Sequence, residues 1–260
     1  MEMTPEDMTR LQYAKDLLEN PGLAAKLTNV VGMPFEKAFG YLPEKWATTI
    51  QTITHKSLQH ALEAAVKTLA REDRKSSSDK LHKFLVAASG GIGGAFGLPA
   101  LPFELQATTV IMFRSIADIA RSEGENLQSI ETRLACLEVF ALGGSSNKDN
   151  AAESGYYAVR ALLAKQVSEA AKYIVEKGIA EEGAPALVRL IAVIASRFGV
   201  TVSQKAAASA VPIIGAAGGA LINSIFMDHF QNMARGHFMI RGLERKYEEK
   251  LVQIEYRLRN

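Results

Sequence analysis

The sequence predicts an all-α fold, a single helical bundle spanning residues 1–260. Apolar residues recur at three- to five-residue steps through several long stretches, and proline and glycine punctuate those stretches where helices start and stop. No stretch alternates apolar and polar residues between turn pairs, so strands are not expected. With 260 residues, 48% of them hydrophobic and 22% charged, the chain can bury one sizeable core.

The elements follow in order. Thr4-Pro5-Glu6-Asp7 reads as a helix start: a hydroxyl cap, proline in the first turn, and carboxylates facing the positive end of the helix dipole. Leu11, Ala14, Leu17 and Leu18 supply its apolar side, and Asn20-Pro21-Gly22 stops it. A short helix is expected over 36–40. A long amphipathic helix follows over about 43–70, with Trp46, Ile50, Ile53, Leu58, Leu62, Ala65 and Leu69 on one side. The charged, serine-rich residues 71–80 read as a loop within one domain.

Further helices are expected over 101–122, 130–142, 151–163, 167–176, 185–197 and 204–210. A last long helix begins near 220 and continues toward 258, with residues from about 248 set apart as a C-terminal tail. The two long amphipathic helices frame two glycine-rich apolar segments packed in or near the core.

Composition excludes some function classes. The net charge is +2, from 30 basic and 28 acidic side chains, and aromatics make up 7%, so neither a phosphate-binding face nor a base-stacking surface is expected. Nucleic acid is therefore not an expected partner. Cys136 is the only cysteine, which precludes an internal disulfide and fits a reducing compartment. The start, "MEMTPEDMTR", has no apolar h-region, so a cytoplasmic protein is expected, with membrane contact only through internal segments.

Two such segments stand out. Residues 84–103 and 206–227 carry no charge, and both are rich in small residues and contain proline. The first ionisable residue after each run is acidic, Glu104 and Asp228 respectively. A phosphate-binding loop does not fit. Gly91-Ile92-Gly93-Gly94-Ala95-Phe96 puts phenylalanine in place of the last glycine of a dinucleotide fingerprint, and no Gly-Lys-Ser/Thr is present. Spacing favours close helix packing instead: Gly90 with Gly94, Gly93 with Gly97, and Gly215 with Gly219 are each four apart. Pro99, Pro102 and Pro212 argue against a simple membrane span, which leaves shallow insertion or mutual burial.

Polar residues define the candidate sites. Arg114 with Asp118, and Arg121 with Glu125, are spaced as a salt-bridge ladder along one helix. Glu104 stands alone in uncharged sequence and needs a cationic or hydrogen-bonding partner. In the last helix, Asp228, Asn232 and Arg235 form a polar stripe beside an apolar one that includes His237. His229 and His237 are eight residues apart, about 12 Å along a helix, too far to share a metal without a bend. A metal site from Glu104, Asp228 and His229 is an alternative; structural histidines are the primary expectation. Ser145 and Ser146 lack a nucleophile elbow, and Cys136 lies among Leu134, Leu137 and Phe140 as a packing residue. No catalytic constellation and no cofactor are expected.

The strings "LPFELQATTVIMFRSIADIARSEGENL", "LEVFALGG" and "GAAGGALINSIFMDHFQNMARGHFMIRGLERKY" together resemble the bacterial EcsC protein family. Thr108, Thr109, Met112, Arg114 and Ser115 match one family run, and Asn223, Asp228, His229, Arg235, His237, Arg241 and Glu244 carry the closing motif. The "LP-x-E-L" segment is also similar to glycine-zipper domains of membrane-associated GTPases, though no GTPase motifs accompany it. The family resemblance implies membrane-related biology in a bacterium and assigns no catalytic residue.

The functional expectation is a non-enzymatic peripheral membrane protein on the cytoplasmic face, contacting lipid or a membrane-protein partner. The alternatives are a metal-assisted hydrolase and a soluble protein-binding scaffold. A shared polar network is also expected, with Glu104 and Asp228 near one end of the bundle and close to Arg114, His229 or Arg235.

Overall fold

The computed structural model describes residues 2–19, 22–33, 35–67, 98–143, 155–178, 184–211 and 215–259. Among the described residues there are ten α-helices and no strand. They are α1 (Pro5–Glu19), α2 (Leu23–Val31), α3 (Phe35–Phe39), α4 (Trp46–Lys67), α5 (Leu101–Ser122), α6 (Ile130–Leu142), α7 (Tyr156–Lys177), α8 (Pro185–Ser209), α9 (Gly215–Lys246) and α10 (Glu249–Leu258). A single 3-10 turn, Leu98–Ala100, leads into α5.

The α1 start forms as its sequence dictates. Thr4 Oγ1 accepts from the Asp7 backbone N–H at 3.3 Å and donates to the Asp7 carboxylate at 2.9 Å. The Thr4 backbone N–H donates instead to the Tyr247 hydroxyl at 3.3 Å, which ties the cap to the end of the chain's long helix. At the far end of α4, Arg133 from α6 donates to the carbonyls of Ala65 and Val66 at 3.2 and 3.1 Å. The guanidinium thereby joins the start of α6 to the last described turn of α4.

α9 is the central element: it packs against α1, α2, α5, α6, α8 and α10. Side-chain contacts give its direction relative to each neighbour. From one end to the other, Lys205 bridges Glu104 of α5 and Phe226 of α9, Ser115 bonds Gln231, and Glu125 bonds Arg241. Both numberings rise together, so α5 and α9 run parallel. Asp7 meets Lys246 while Gly236 abuts Ala14 and Leu18, so α1 is antiparallel to α9.

The main core spans α2 and α4 to α9. At its centre Phe140, Phe198, Phe226 and Phe230 from α6, α8 and α9 pack with ring centroids 4.9–6.2 Å apart. A smaller cluster of Leu11, Ala14, Tyr156, Ile240, Leu243, Val252 and Tyr256 joins α1 and α10 to the end of α9.

Four expectations differ from the structure. Residues 156–177 and 185–209 form single helices where the sequence suggests breaks. Ala164, Lys165 and Gln166 are good helix formers, and an interior glycine such as Gly199 costs only about 1 kcal/mol. Burial of Leu190, Ile194, Phe198 and Val202 on one side of α8 outweighs that cost. α2 was not expected, being only nine residues long, and it ends on Gly32 in the left-handed conformation (φ 69°). The last helix does not continue toward 258: α9 ends at Lys246 and α10 restarts at Glu249, so the tail from about 248 is a separate helix that buries Val252 and Tyr256 in the smaller cluster.

Gly90, Gly93, Gly94 and Gly97, and the 71–80 loop, lie outside the described residues. Gly215 opens α9, and Gly219 is buried within it. A close glycine-mediated helix contact lies instead at Gly236, which is not part of any four-residue glycine spacing. A Cβ there would lie 2.6 Å from Leu18 Cγ and 2.8 Å from the Ala14 carbonyl. Gly199, by contrast, has nothing within 4 Å of where a Cβ would stand.

These two glycines make a paired prediction. Gly236→Ala is expected to push α1 off α9 and destabilise by about 1–3 kcal/mol. Gly199→Ala is expected to stabilise by up to about 1 kcal/mol. Urea unfolding monitored by circular dichroism reads both, and equal effects at the two sites would contradict this packing.

Candidate functional site

Polar chemistry in the bundle divides into three centres strung along α9. The first is the buried pair of Glu104, in the first turn of α5, and Lys205, near the end of α8. The Lys205 ammonium lies 2.5 Å from Glu104 Oε1 and 5.1 Å from the centroid of the Phe226 ring. Lys205 is 1% exposed and Glu104 11%. Burial pulls the Lys205 pKa below its ordinary value, and the Glu104 charge opposes that fall.

Lys205 was not singled out from the sequence, yet a signal for it exists. Glu104 is the only charge in residues 84–113, and Lys205 is the only charge in residues 198–227. Two apolar runs, each holding one charge of opposite sign, are complementary. The closing motif does not supply the partner. Arg235 stands nine residues beyond Phe226, about 13 Å farther along α9, and hydrogen-bonds Asn232 at 3.1 Å. Arg114 is exposed on α5. Asn223 is buried one turn before Phe226, and Asp228 lies half-buried half a turn after it.

The second centre lies at the opposite end. Glu125 has left the helix on which the predicted ladder placed it, because α5 ends at Ser122 and Gly124 turns the chain with φ 83°. Its carboxylate receives Arg241 Nε at 2.8 Å and Nη2 at 3.1 Å, a two-pronged pair, together with Arg245 and the Thr132 hydroxyl. Burial pushes against the Glu125 charge, but these arginine hydrogen bonds hold its pKa below the usual carboxylate range. Asp118 pairs with Arg121 three residues on, at 3.2 Å, so the two halves of the ladder do not form as spaced. Beside this centre, Asp7 binds Lys246, Tyr247 and Thr4. These bonds, that of Lys246 foremost, lower its pKa to about 2.

The third centre is interior. Arg160 of α7 donates to Glu244 at 2.7 Å and to the Tyr156 oxygen at 3.3 Å. The Tyr156 hydroxyl lies 3.0 Å from His237 Nδ1. The Tyr156 hydroxyl, which accepts from Arg160, can donate to Nδ1 or accept from it according to the imidazole tautomer. His237 Nε2 is buried without a hydrogen-bond partner among the described residues. Burial keeps His237 neutral, pulling its pKa well below the ordinary value, and Arg160 and Arg241 add to the effect.

Glu138 of α6 faces the same two arginines electrostatically. It is buried and makes no hydrogen bond or ion pair among the described residues. Burial raises its pKa to about 7, against the pull of Arg160 and Arg241.

His229 belongs to none of these centres. Its Nε2 lies 3.0 Å from the Gly143 carbonyl, closing the end of α6, and burial lowers its pKa to about 4. Gly143 is required there: a Cβ would stand 2.6 Å from His229 Nε2. The metal set of Glu104, Asp228 and His229 is thus not assembled, since Glu104 serves Lys205 and His229 serves a backbone carbonyl. Among the described residues no three His, Cys, Asp or Glu side chains gather to hold a metal ion. The Cys136 thiol is buried, and burial pushes its pKa far up, which disfavours the thiolate.

Fold and centres together define an all-helical protein in which paired and neutralised polar groups tie a central helix to its neighbours. The profile of the EcsC protein family matches residues 6–243, and the chain belongs to that family. No curated protein and no solved structure matches the chain.

Two tests follow from these centres. Glu104→Ala strands a buried ammonium and is expected to cost about 3–5 kcal/mol. Lys205→Met leaves a carboxylate near enough to solvent to rehydrate, so it should cost less, and the double variant should cost less than the sum. Strict additivity would disprove the pairing.

The second test concerns Glu138. Its folded pKa is raised, so the native state holds this proton more tightly than the unfolded chain. Stability from it is fully present below about pH 4.5 and is lost as pH rises through 7. Relative to Glu138→Gln, the wild type is expected to lose about 3 kcal/mol across that window. Parallel stability profiles from pH 4.5 to 8 would show that the carboxyl is not buried.

Proposed function

We propose that the protein is a non-enzymatic peripheral membrane protein, whose uncharged end contacts lipid or a membrane-protein partner at the cytoplasmic face of the cell membrane. An accessory role in membrane transport or envelope processes fits this reading. The observation that carries it is the polarity of the bundle. The first turns of α5 and α9 and the last turn of α8 lie at one end, where both uncharged sequence runs enter the fold, and their lone charges, Glu104 and Lys205, neutralise each other inside. Glu123, Glu125, Arg241, Arg245, Asp7 and Lys246 all sit at the other end.

α8 is the one described helix long and apolar enough to cross a membrane. Its Leu190, Ile194, Phe198 and Val202 are committed to the protein core, which supports a peripheral rather than a spanning arrangement. A metal-assisted hydrolase draws no support from this geometry, because two of its three candidate ligands are engaged elsewhere.

Sedimentation of purified protein with lipid vesicles, and fractionation of cells with and without an alkaline carbonate wash, test the reading. The expected result is membrane-bound protein released by carbonate. Protein that stays soluble in cells and ignores vesicles of every composition would overturn it.

A further inference from the structure

We infer that the docking surface is the tip formed by Phe103, Phe39, Tyr41 and Leu221, and that its partner is the uncharged interfacial zone of a bilayer. This rests on the peripheral-membrane reading and adds which residues enter the lipid and what chemistry they meet. Phe103 occupies the first turn of α5, next to Glu104. One residue is a rotation of about 100° on a helix, so the inward turn of Glu104 toward Lys205 sends Phe103 outward. It is 79% exposed, the most exposed large apolar side chain among the described residues.

The other three residues reach the same end by independent contacts. Ala38 of α3 packs on Ala207 and Val211, just past Lys205, which brings Phe39 (40% exposed) and Tyr41 (48%) to the tip. Leu221 (48% exposed) lies five residues before Phe226, on the turns of α9 nearest its start. Lys205, Ala206, Ala207 and Ala208 are all buried, so the end of α8 is surrounded and the exposed side chains form a rim about it.

Two quantities choose the occupant. The first is area: at ~200 Å² per fully exposed aromatic side chain, the three aromatics present roughly 330 Å². A stable dimer needs ~800 Å² from each partner, whereas shallow insertion of a few aromatic side chains suits the membrane–water boundary. The second is charge. Glu104 is paired inside, and the α3 region carries Glu36 with Lys37 and Glu44 with Lys45, for no net charge. Among the described residues the tip therefore carries no excess of positive charge to attract anionic headgroups, and binding is assigned as hydrophobic and indifferent to salt.

The experiment is sedimentation of the full chain with phosphatidylcholine vesicles, and with vesicles containing an added anionic phospholipid, at low and high salt. Wild type, Phe103→Ser and Leu162→Ser are compared, Leu162 being exposed on α7 two residues beyond Arg160, toward the charged end. Wild-type binding to neutral vesicles that survives high salt, weakened at least about tenfold in Phe103→Ser and unchanged in Leu162→Ser, is the expected result. Thermal unfolding should be the same for all three, because both replaced side chains are exposed.

If wild type and Phe103→Ser bind equally, this tip is not the docking surface although membrane association stands. If wild type binds no vesicle, the lipid assignment falls, and carbonate fractionation of cells then decides whether the peripheral-membrane reading falls with it. Binding that requires anionic lipid and disappears in salt overturns the neutral-interface assignment. A concentration-dependent dimer abolished by Phe103→Ser overturns it in favour of a second copy of the chain.

Discussion

The parallel contact of α5 and α9 is the constraint on which the other helices depend. Two adjacent parallel helices cannot be joined by a short turn, so the intervening chain must return from one end of the bundle to the other. Here α6, α7 and α8 occupy that return. The contact is held at three heights by different chemistry: a buried ion pair shared with α8, the Gln231–Ser115 hydrogen bond of 2.8 Å, and the two-pronged Arg241–Glu125 pair. Directional bonds at three heights fix the axial register, which apolar packing alone leaves free to slide by a turn. With that register fixed, the face of α9 turned away from α5 is available to α1 and α2.

Electrostatics are handled differently along this axis. At the charged end, arginines crowd a carboxylate and keep it ionised with some access to water. In the middle, burial dominates, and His229 and His237 stay neutral while Glu138 holds its proton into the neutral range. At the uncharged end a full ion pair is enclosed, at a desolvation cost that its own attraction and the Phe226 ring must offset. Charge thus passes along the axis from solvated, to neutral, to enclosed, and the lone charges of the two apolar runs, Glu104 and Lys205, are paired inside rather than turned outward.

Much of this architecture was legible in the sequence, and the losses have physical causes. Helix type, the Thr4 cap and the extents of α5 and α6 all follow from local pattern. Helix joins were harder: Gly199 and the 164–166 stretch look like weak points locally, but tertiary burial along a continuous face overrides them. The polar pairing was misassigned because spacing along one helix suggests neighbours on that helix. Asp118 with Arg121 is such a case, but Glu125 finds Arg241 more than a hundred residues away, and the cationic partner expected for Glu104 is Lys205 of α8 and not a residue of the closing motif. Attention to glycines four apart likewise missed Gly236, a lone glycine whose importance comes from α1, a helix far from it in sequence.

The contacts of α1 carry a consequence for how the chain is made. Asp7 and Lys246 are separated by 239 positions, and Glu19 meets Tyr256 across 237. At about 5–20 residues per second of synthesis, α1 waits roughly 10–50 s before these partners exist. Throughout that interval Leu11 and Ala14 have no α9 or α10 to bury against. α1 is thus translated long before the surface that receives it, and its docking ties together segments more than two hundred residues apart.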